Sequence, residues 1–220
     1  MYDVPRARCM GRRNSSGEYV MTDVVIPAWN EESTLPAILR VLTTHDAIGR
    51  VIVVVDEETT DETAMKAKEH TPFVINSGEH GKGQNVLLGM GLVQTDHVLF
   101  CDADYSHLTH KHVDIMLNGR GYEWLTIGVP EFPVDVPANV ISAWPWVSGI
   151  RIMPTSLPNA LDLHGYLTEV QINRYAREHQ YHTAFKFLPG LWSPFLMTPR
   201  RVQERERDRR WGQERGLLPT

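Results

Sequence analysis

The sequence predicts an α/β fold with a mainly parallel central sheet and helices on both of its faces. Three observations carry this expectation. Apolar strand-like runs alternate four times with amphipathic helical runs between residues 21 and 118, joined by short connections. The strands are rich in Val and Ile and alternate little, as strands buried on both faces do. Polar and acidic residues gather where those runs stop, and in a parallel sheet such ends share one edge.

The elements follow in order. Asp23-Val24-Val25-Ile26 reads as a first strand ended by Pro27. Leu35, Ile38, Leu39 and Leu42 mark the apolar face of a helix over Glu31–Leu42, with Ser33-Thr34-Leu35-Pro36 near its start. Arg50–Asp56 is a β-branched second strand, followed by a helix over Asp61–Glu69 and a short third strand over Phe73–Asn76. Gly81-Lys82-Gly83 leads into a helix from Gln84 to Val93, then Val98–Cys101 is the fourth strand and His110–Asn118 its helix. In the second half, Trp124–Gly128 and Trp146–Gly149 read as strands separated by a loop with Pro130, Pro133 and Pro137. A helix over Tyr166–His179 and a last strand over Tyr181–Leu188 complete one domain without internal repeats. The expected division is a disordered leader over 1–20, a domain over 21–198 with halves 21–117 and 118–198, and a charged tail over 199–220.

Hydrophobic content of 42% and charged content of 22% are those of a water-soluble globular chain. An apolar run of the roughly 20 residues that cross a bilayer is absent from the sequence. Two cysteines, Cys9 and Cys101, make no disulfide framework, so a cytoplasmic setting is expected. Residues 1–20 carry +2 and residues 199–220 carry +3, which leaves −10 on the middle of a chain whose total is −5. An acidic body argues against a reader of duplex DNA and suits a cleft that gathers cations.

The chemistry centres on Val98-Leu99-Phe100-Cys101-Asp102-Ala103-Asp104-Tyr105. Two carboxylates one residue apart at the end of a buried strand need compensation, and hard oxygen ligands suit Mg²⁺ or Mn²⁺. Pro27-Ala28-Trp29-Asn30-Glu31-Glu32 and Asp56 stand at neighbouring strand ends. Gly81-Lys82-Gly83 offers backbone approach and a point charge for a phosphate, although neither a Walker A loop nor a G-x-G-x-x-G turn is present. Glu32 and Asp61 fit helix caps as well as ligands. His107, His110 and His112 read as a solvated helix face rather than a metal cluster.

VVIPAWNEEST, VVVDEETTDET, GKGQNVLLG and VLFCDADY stand in the order and spacing of glycosyltransferase family 2 and its near relatives of GT-A fold. The chain resembles in particular the glucosyl-3-phosphoglycerate synthase and mannosylglycerate synthase-like enzymes, well over residues 21–117 and loosely beyond. This resemblance implies a single GT-A, Rossmann-like domain. It also implies a metal-dependent transfer of a hexose such as glucose from a nucleoside-diphosphate donor, a UDP-sugar, to an acceptor hydroxyl. By the same resemblance Pro27, Ala28 and Glu31 hold the uridine, Asp56 the uracil edge, and Lys82 the diphosphate. Asp102 lies against the ribose or sugar and acts in catalysis, while Asp104 binds the Mg²⁺ or Mn²⁺.

In the second half, Val147-Ser148-Gly149-Ile150-Arg151 resembles the segment lining the acceptor side, which places Ser148, Gly149 and Arg151 there. Gly165-Tyr166 and Glu169 resemble the Gly-Tyr-x-x-Glu segment of the same relatives, with Glu169 as a base or a sugar-positioning carboxylate. His182 stands where relatives place a histidine on the metal. One departure concerns the base: Glu57-Glu58-Thr59 replaces the relatives' usual Ser-Gly-Ser and leaves the nucleotide open. The acceptor is open among a small phosphorylated acid, a protein and a modified base, as is a homodimer. The competing readings are a nucleotidyltransferase of the same fold, whose early glycine-rich Lys/Arg loop is missing, and a non-catalytic nucleotide or sugar-binding module.

Overall fold

A computed structural model describes residues 21–118, 124–131 and 148–192, together with 206, 207, 209, 210 and 212–216 of the tail. The leader over 1–20, Pro133, Pro137, Trp146 and Val147 lie outside the described residues.

The elements are β1 (Thr22–Ala28), α1 (Leu35–Thr43), β2 (Ile48–Val55), α2 (Thr63–Lys68), β3 (Val74–Asn76), α3 (Lys82–Met90) and β4 (His97–Phe100). There follow α4 (His110–Leu117), β5 (Trp124–Glu131), β6 (Arg151–Pro154), α5 (Ser156–Asn159), a 3₁₀ turn over Gly165–Leu167, α6 (Thr168–Glu178) and β7 (His182–Trp192). The seven strands form one sheet in the order β3-β2-β1-β4-β6-β5-β7. β1 is parallel to β2 and β4, and β2 to β3. β6 runs antiparallel to both β4 and β5, and β7 is parallel to β5. Two reversals therefore return β5 and β7 to the direction of the first four strands.

Side chains alternate between the two faces of the sheet, and each face meets its own helices. Val24, Ile26, Val53 and Leu99 pack with Leu35, Ile38 and Leu39 of α1 and with Val113 and Met116 of α4. Val25, Val54, Phe100 and Ile127 pack on the other face with Val86 and Met90 of α3 and Ile172 and Ala176 of α6. Each Val, Leu, Ile, Phe or Met among them contributes about 1.5–3 kcal/mol when fully buried. The expected α/β class, mainly parallel with both faces covered, is the observed one.

Three boundaries differ from the sequence reading for identifiable reasons. Pro27 does not end β1: it pairs with Val54 inside the strand. The Val25 carbonyl accepts from Cys101 N–H on the β4 side, so Pro27, two residues on, turns its nitrogen to that same side, beyond the last β4 pairing at Phe100. The sheet loses no hydrogen bond there. The strand expected over Trp146–Gly149 lies instead at Arg151–Pro154, since Ser148 and Gly149 are outside any strand. β7 continues past Leu188 to Trp192, with a register shift opposite Pro130 and Glu131.

Of the histidines near α4, His107 and His110 are exposed as expected, and only His112 departs from a solvated face. His112 is buried, closes a capping box with Thr109 and lies 2.9 Å from the Pro189 carbonyl through Nε2. That bond pins α4 to β7.

Candidate active site

β1, β2 and β4 end at one edge of the sheet. β6, running the other way, begins there, with Arg151 paired to Phe100. Two residues beyond Phe100 stands Asp102. Lys82 is the first residue of α3 and Glu169 the second of α6, so both helices present their amino ends to the same place.

Lys82 Nζ lies 2.6 Å from Asp102 Oδ1 and 2.5 Å from Glu169 Oε1. Glu169 is buried, and burial of Lys82 by itself would favour the neutral amine. The two carboxylates outweigh that and raise the lysine above its ordinary value, so it is held as an ammonium. Pro27, Lys82, Asp102, Gly149, Arg151 and Glu169 line a small cavity between the two halves of the chain. Gly149 backs directly onto Asp102, and a Cβ there would overlap the Asp102 carboxylate.

Arg151 is 1% exposed, and its guanidinium is committed to protein groups. Nε and Nη2 donate to the Ser148 carbonyl at 3.1 and 2.6 Å, and Nη1 donates to Asn173 Oδ1 at 3.0 Å. Burial lowers its pKa, while Glu169 and Asp102 act in the opposite sense. Ser148 turns its hydroxyl to Tyr105 OH at 3.3 Å and is itself buried. Ser148 thus braces Arg151 and Tyr105, whereas Gly149 and Arg151 face the cavity. Burial first, then Asp102, pushes the Tyr105 hydroxyl well above the phenolic range. Asp104 follows Asp102 in the same loop and is half-buried.

Asp56, beyond β2, is buried and saturated. Oδ1 accepts from Glu58 N–H at 3.0 Å and lies 2.8 Å from His80 Nδ1; Oδ2 accepts from Gly81 N–H at 3.0 Å and Asn85 Nδ2 at 2.8 Å. The expectation that Asp56 meets a base directly therefore needs one of these donors to give way. Ala28 ends β1 with its carbonyl on Asp56 N–H. Glu31 donates its N–H to Thr63 Oγ1 and accepts the Thr34 hydroxyl at 2.6 Å, which ties the loop after β1 to α1 and α2. Gly165, with φ of 47°, opens the turn that also holds Tyr166.

His182 is not brought to this place. It pairs with Trp124 at the amino end of β7, level with His97 at the amino end of β4. Three strand spacings, about 14 Å, and the length of β4 separate it from the Asp102–Asp104 loop. The reading of His182 as a partner of Asp104 on one ion is corrected on that ground.

Two participants escaped the sequence reading. His80 joins Asp56 and Glu58, with ligand atoms within 4.8 Å of one another, and meets Trp29 edge-on at 5.7 Å. The polar run Ser77-Gly78-Glu79-His80 before Gly81 was its only signal. Gln84 is the other: it contacts both His164 and Gly165.

Residues 23–119 match the model of the family described as glycosyl transferase family 2. Over 83 residues the chain is 37% identical to proteins of Mycobacterium tuberculosis and Mycobacterium bovis described as uncharacterized glycosyltransferases. That segment is 38% of this chain and spans 36% of the length of those relatives. The chain also superposes on glucosyl-3-phosphoglycerate synthase of Mycobacterium tuberculosis in complex with Mn²⁺ and UDP-glucose, with a TM-score of 0.71 over 91% of this chain and 80% of that one, at 19% identity. The fold is the GT-A fold of that synthase, and the likeness to family 2 in sequence is confined to residues 23–119. The same synthase in complex with phosphoglyceric acid gives a TM-score of 0.71 at 19% identity, covering 91% of this chain and 81% of that one. Among the described residues no helix is long and apolar enough to cross a membrane.

Proposed function

We propose that the chain is a glycosyltransferase that moves a hexose from a nucleoside-diphosphate donor, a UDP-sugar, to an acceptor hydroxyl. One observation carries the reading: Lys82 joins Asp102 of the family-matched part to Glu169 of the other half in one partly buried cluster. A cation that already answers two carboxylates at the amino end of α3 is suited to a diphosphate, whose oxygens compete for the same ammonium.

The donor set fits a divalent cation. Asp102 and Asp104 offer hard carboxylate oxygens one residue apart beside Lys82, as Mg²⁺ and Mn²⁺ prefer. Asp56, Glu58 and His80 form a second group, but an ion there would displace donors that Asp56 already holds. We therefore assign the ion to Asp104 with Asp102 beside it. When bound, it supplies positive charge to the leaving diphosphate.

The remaining steps belong to the chain itself. Lys82 turns from its carboxylates toward the diphosphate. Pro27 and Ala28 present the backbone at the end of β1, with Glu31 fixing the loop that follows them. Asp56 shapes the base side through Gly81 and His80. The acceptor oxygen bonds to the anomeric carbon, the bond from that carbon to the diphosphate breaks, and the hydroxyl proton passes to a carboxylate or to the leaving group. Glu169 orients the hydroxyl that reacts or the sugar that moves. Gly149 on the far wall, with the charge of Arg151 buried behind it rather than offered for contact, favours a small phosphorylated acid as acceptor, the class to which the phosphoglyceric acid of the synthase complex belongs.

The test is a screen of sugar nucleotides with Mn²⁺, scored first by slow hydrolysis and then by transfer to phosphoglyceric acid. Release of UDP from a UDP-hexose, lost in Glu169→Gln, is the expected result. Failure of every sugar nucleotide to bind or react would overturn the reading.

A further inference from the structure

Three consecutive residues at the start of α3 each meet the segment 163–169. Lys82 reaches Glu169. At Gly83 the two stretches touch backbone to backbone: a Cβ there would lie 2.5 Å from His164 N and 2.6 Å from the Leu163 carbonyl carbon. Gln84 then spans two residues, with its Oε1 3.3 Å from Gly165 N and its Nε2 3.1 Å from His164 Nδ1.

These contacts fix more than position. A backbone N–H can only donate, so the amide atom facing Gly165 is the oxygen. The other end of the amide is then an NH₂ group, which also can only donate, and it faces His164 Nδ1. That ring nitrogen must accept, so the proton of the neutral imidazole sits on Nε2. The backbone of the same histidine is held as well, since His164 N–H donates to Gln171 Oε1 at 2.8 Å. Gln171 is on α6 two residues after Glu169, and its Nε2 returns to the Asp162 carbonyl at 2.6 Å. The chain from Gln84 through His164 to Gln171 thus ties the phosphate-side loop to the helix that carries Glu169.

We propose that Gln84 is a positioning residue, whose amide holds His164 as the Nε2–H tautomer and seats the 163–169 segment so that Glu169 meets Lys82. The proposal rests on the reading of Lys82 and Glu169 as residues of the donor cleft. Gln84 touches no reacting atom; it acts through His164 and Gly165.

Imidazole ¹⁵N shifts of the wild-type protein at neutral pH test the first part without any turnover. The expected spectrum for His164 is the neutral Nε2–H form, and a proton on Nδ1 would overturn the proposal. Gln84→Glu keeps the shape and the bond from Gly165 but replaces the NH₂ donor by an acceptor. His164 should then gain a proton on Nδ1 at the same pH; an unchanged His164 spectrum in that variant counts against the bridge. For the positioning part, Gln84→Ala should lower kcat roughly tenfold or more while the Kd for UDP with Mn²⁺ stays within about twofold. Unchanged kcat, or a loss confined to UDP affinity, overturns the positioning role. Should wild-type protein turn over no sugar nucleotide, the proposed function fails, and the His164 spectra still decide the bridge by themselves.

Discussion

A methyl group at Gly149 would overlap the carboxylate of Asp102. The two residues come from opposite halves of the chain, and the missing side chain of one makes room for the charged group of the other. Gly149→Ala must push Asp102 away from Lys82 or move the start of β6. The expected cost is about 1–3 kcal/mol of stability, the range for overpacking. A loss of turnover larger than the thermal shift explains should accompany it. Comparing the unfolding midpoint with sugar-nucleotide hydrolysis tests this, and a variant with wild-type values in both would show the contact to be soft.

Lys82→Met should destabilise the fold as well as the chemistry. It leaves Glu169 buried beside Asp102 with their shared ammonium gone. Breaking such a cluster costs about 3 kcal/mol, the low end for buried pairs because Asp102 is partly exposed. Adding Glu169→Gln should restore part of that stability and none of the activity. Urea unfolding of the single and double variants measures both effects, and additive losses would argue against coupling.

Asp104→Ala should leave the fold intact and remove the dependence of UDP binding on Mn²⁺. Calorimetric titration of UDP with and without Mn²⁺ reads this directly. Equal affinities in the wild-type protein with Mn²⁺ and with EDTA would sink the assignment of the ion to Asp104.

Away from the cleft, His45 predicts a pH dependence of stability. Burial lowers its pKa below 6.5, and the nearby Asp114 carboxylate, 3.3 Å from Nε2, only partly offsets this. The unfolded chain therefore takes up a proton at a higher pH than the folded one. Stability from this group is complete above pH 6.5 and is lost as pH falls from there toward the folded value. Unfolding in urea at about pH 7.5 and about pH 5.5 should show the loss, and His45→Gln should flatten it.

Most of the first half was legible because it is built from local signals: β-branched strands, one apolar stripe per helix, and acidic residues at strand ends. Asp102, Lys82 and Glu169, expected in one cleft from motif order, do meet there. What failed to show depends on partners distant in sequence. Pro27 looked like a strand end because only the early stop of β4 makes its missing N–H harmless. β6 was missed because it opens with a buried arginine, whose polarity is met by the Ser148 carbonyl and Asn173. His112 looked solvated, yet the Pro189 carbonyl claims it. His182 looked close to the metal by order along the chain, but strand register sets it at the other end of the sheet.

The stitching of α3 to the 163–169 segment also sets an order of assembly. Lys82 and Glu169 are 87 residues apart in sequence, and Gln84 and Gly165 are 81 apart. β1 to β4 and their helices close through short connections, whereas β6 and α6 arrive only after that long loop has been drawn in. Contacts of such separation form late because the chain entropy of closing the loop comes before any reward. A newly made chain therefore carries Lys82 and Asp102 at an open sheet edge, still in water, until α6 docks. The cleft is then expected to close late in folding and to open early when the second half loosens.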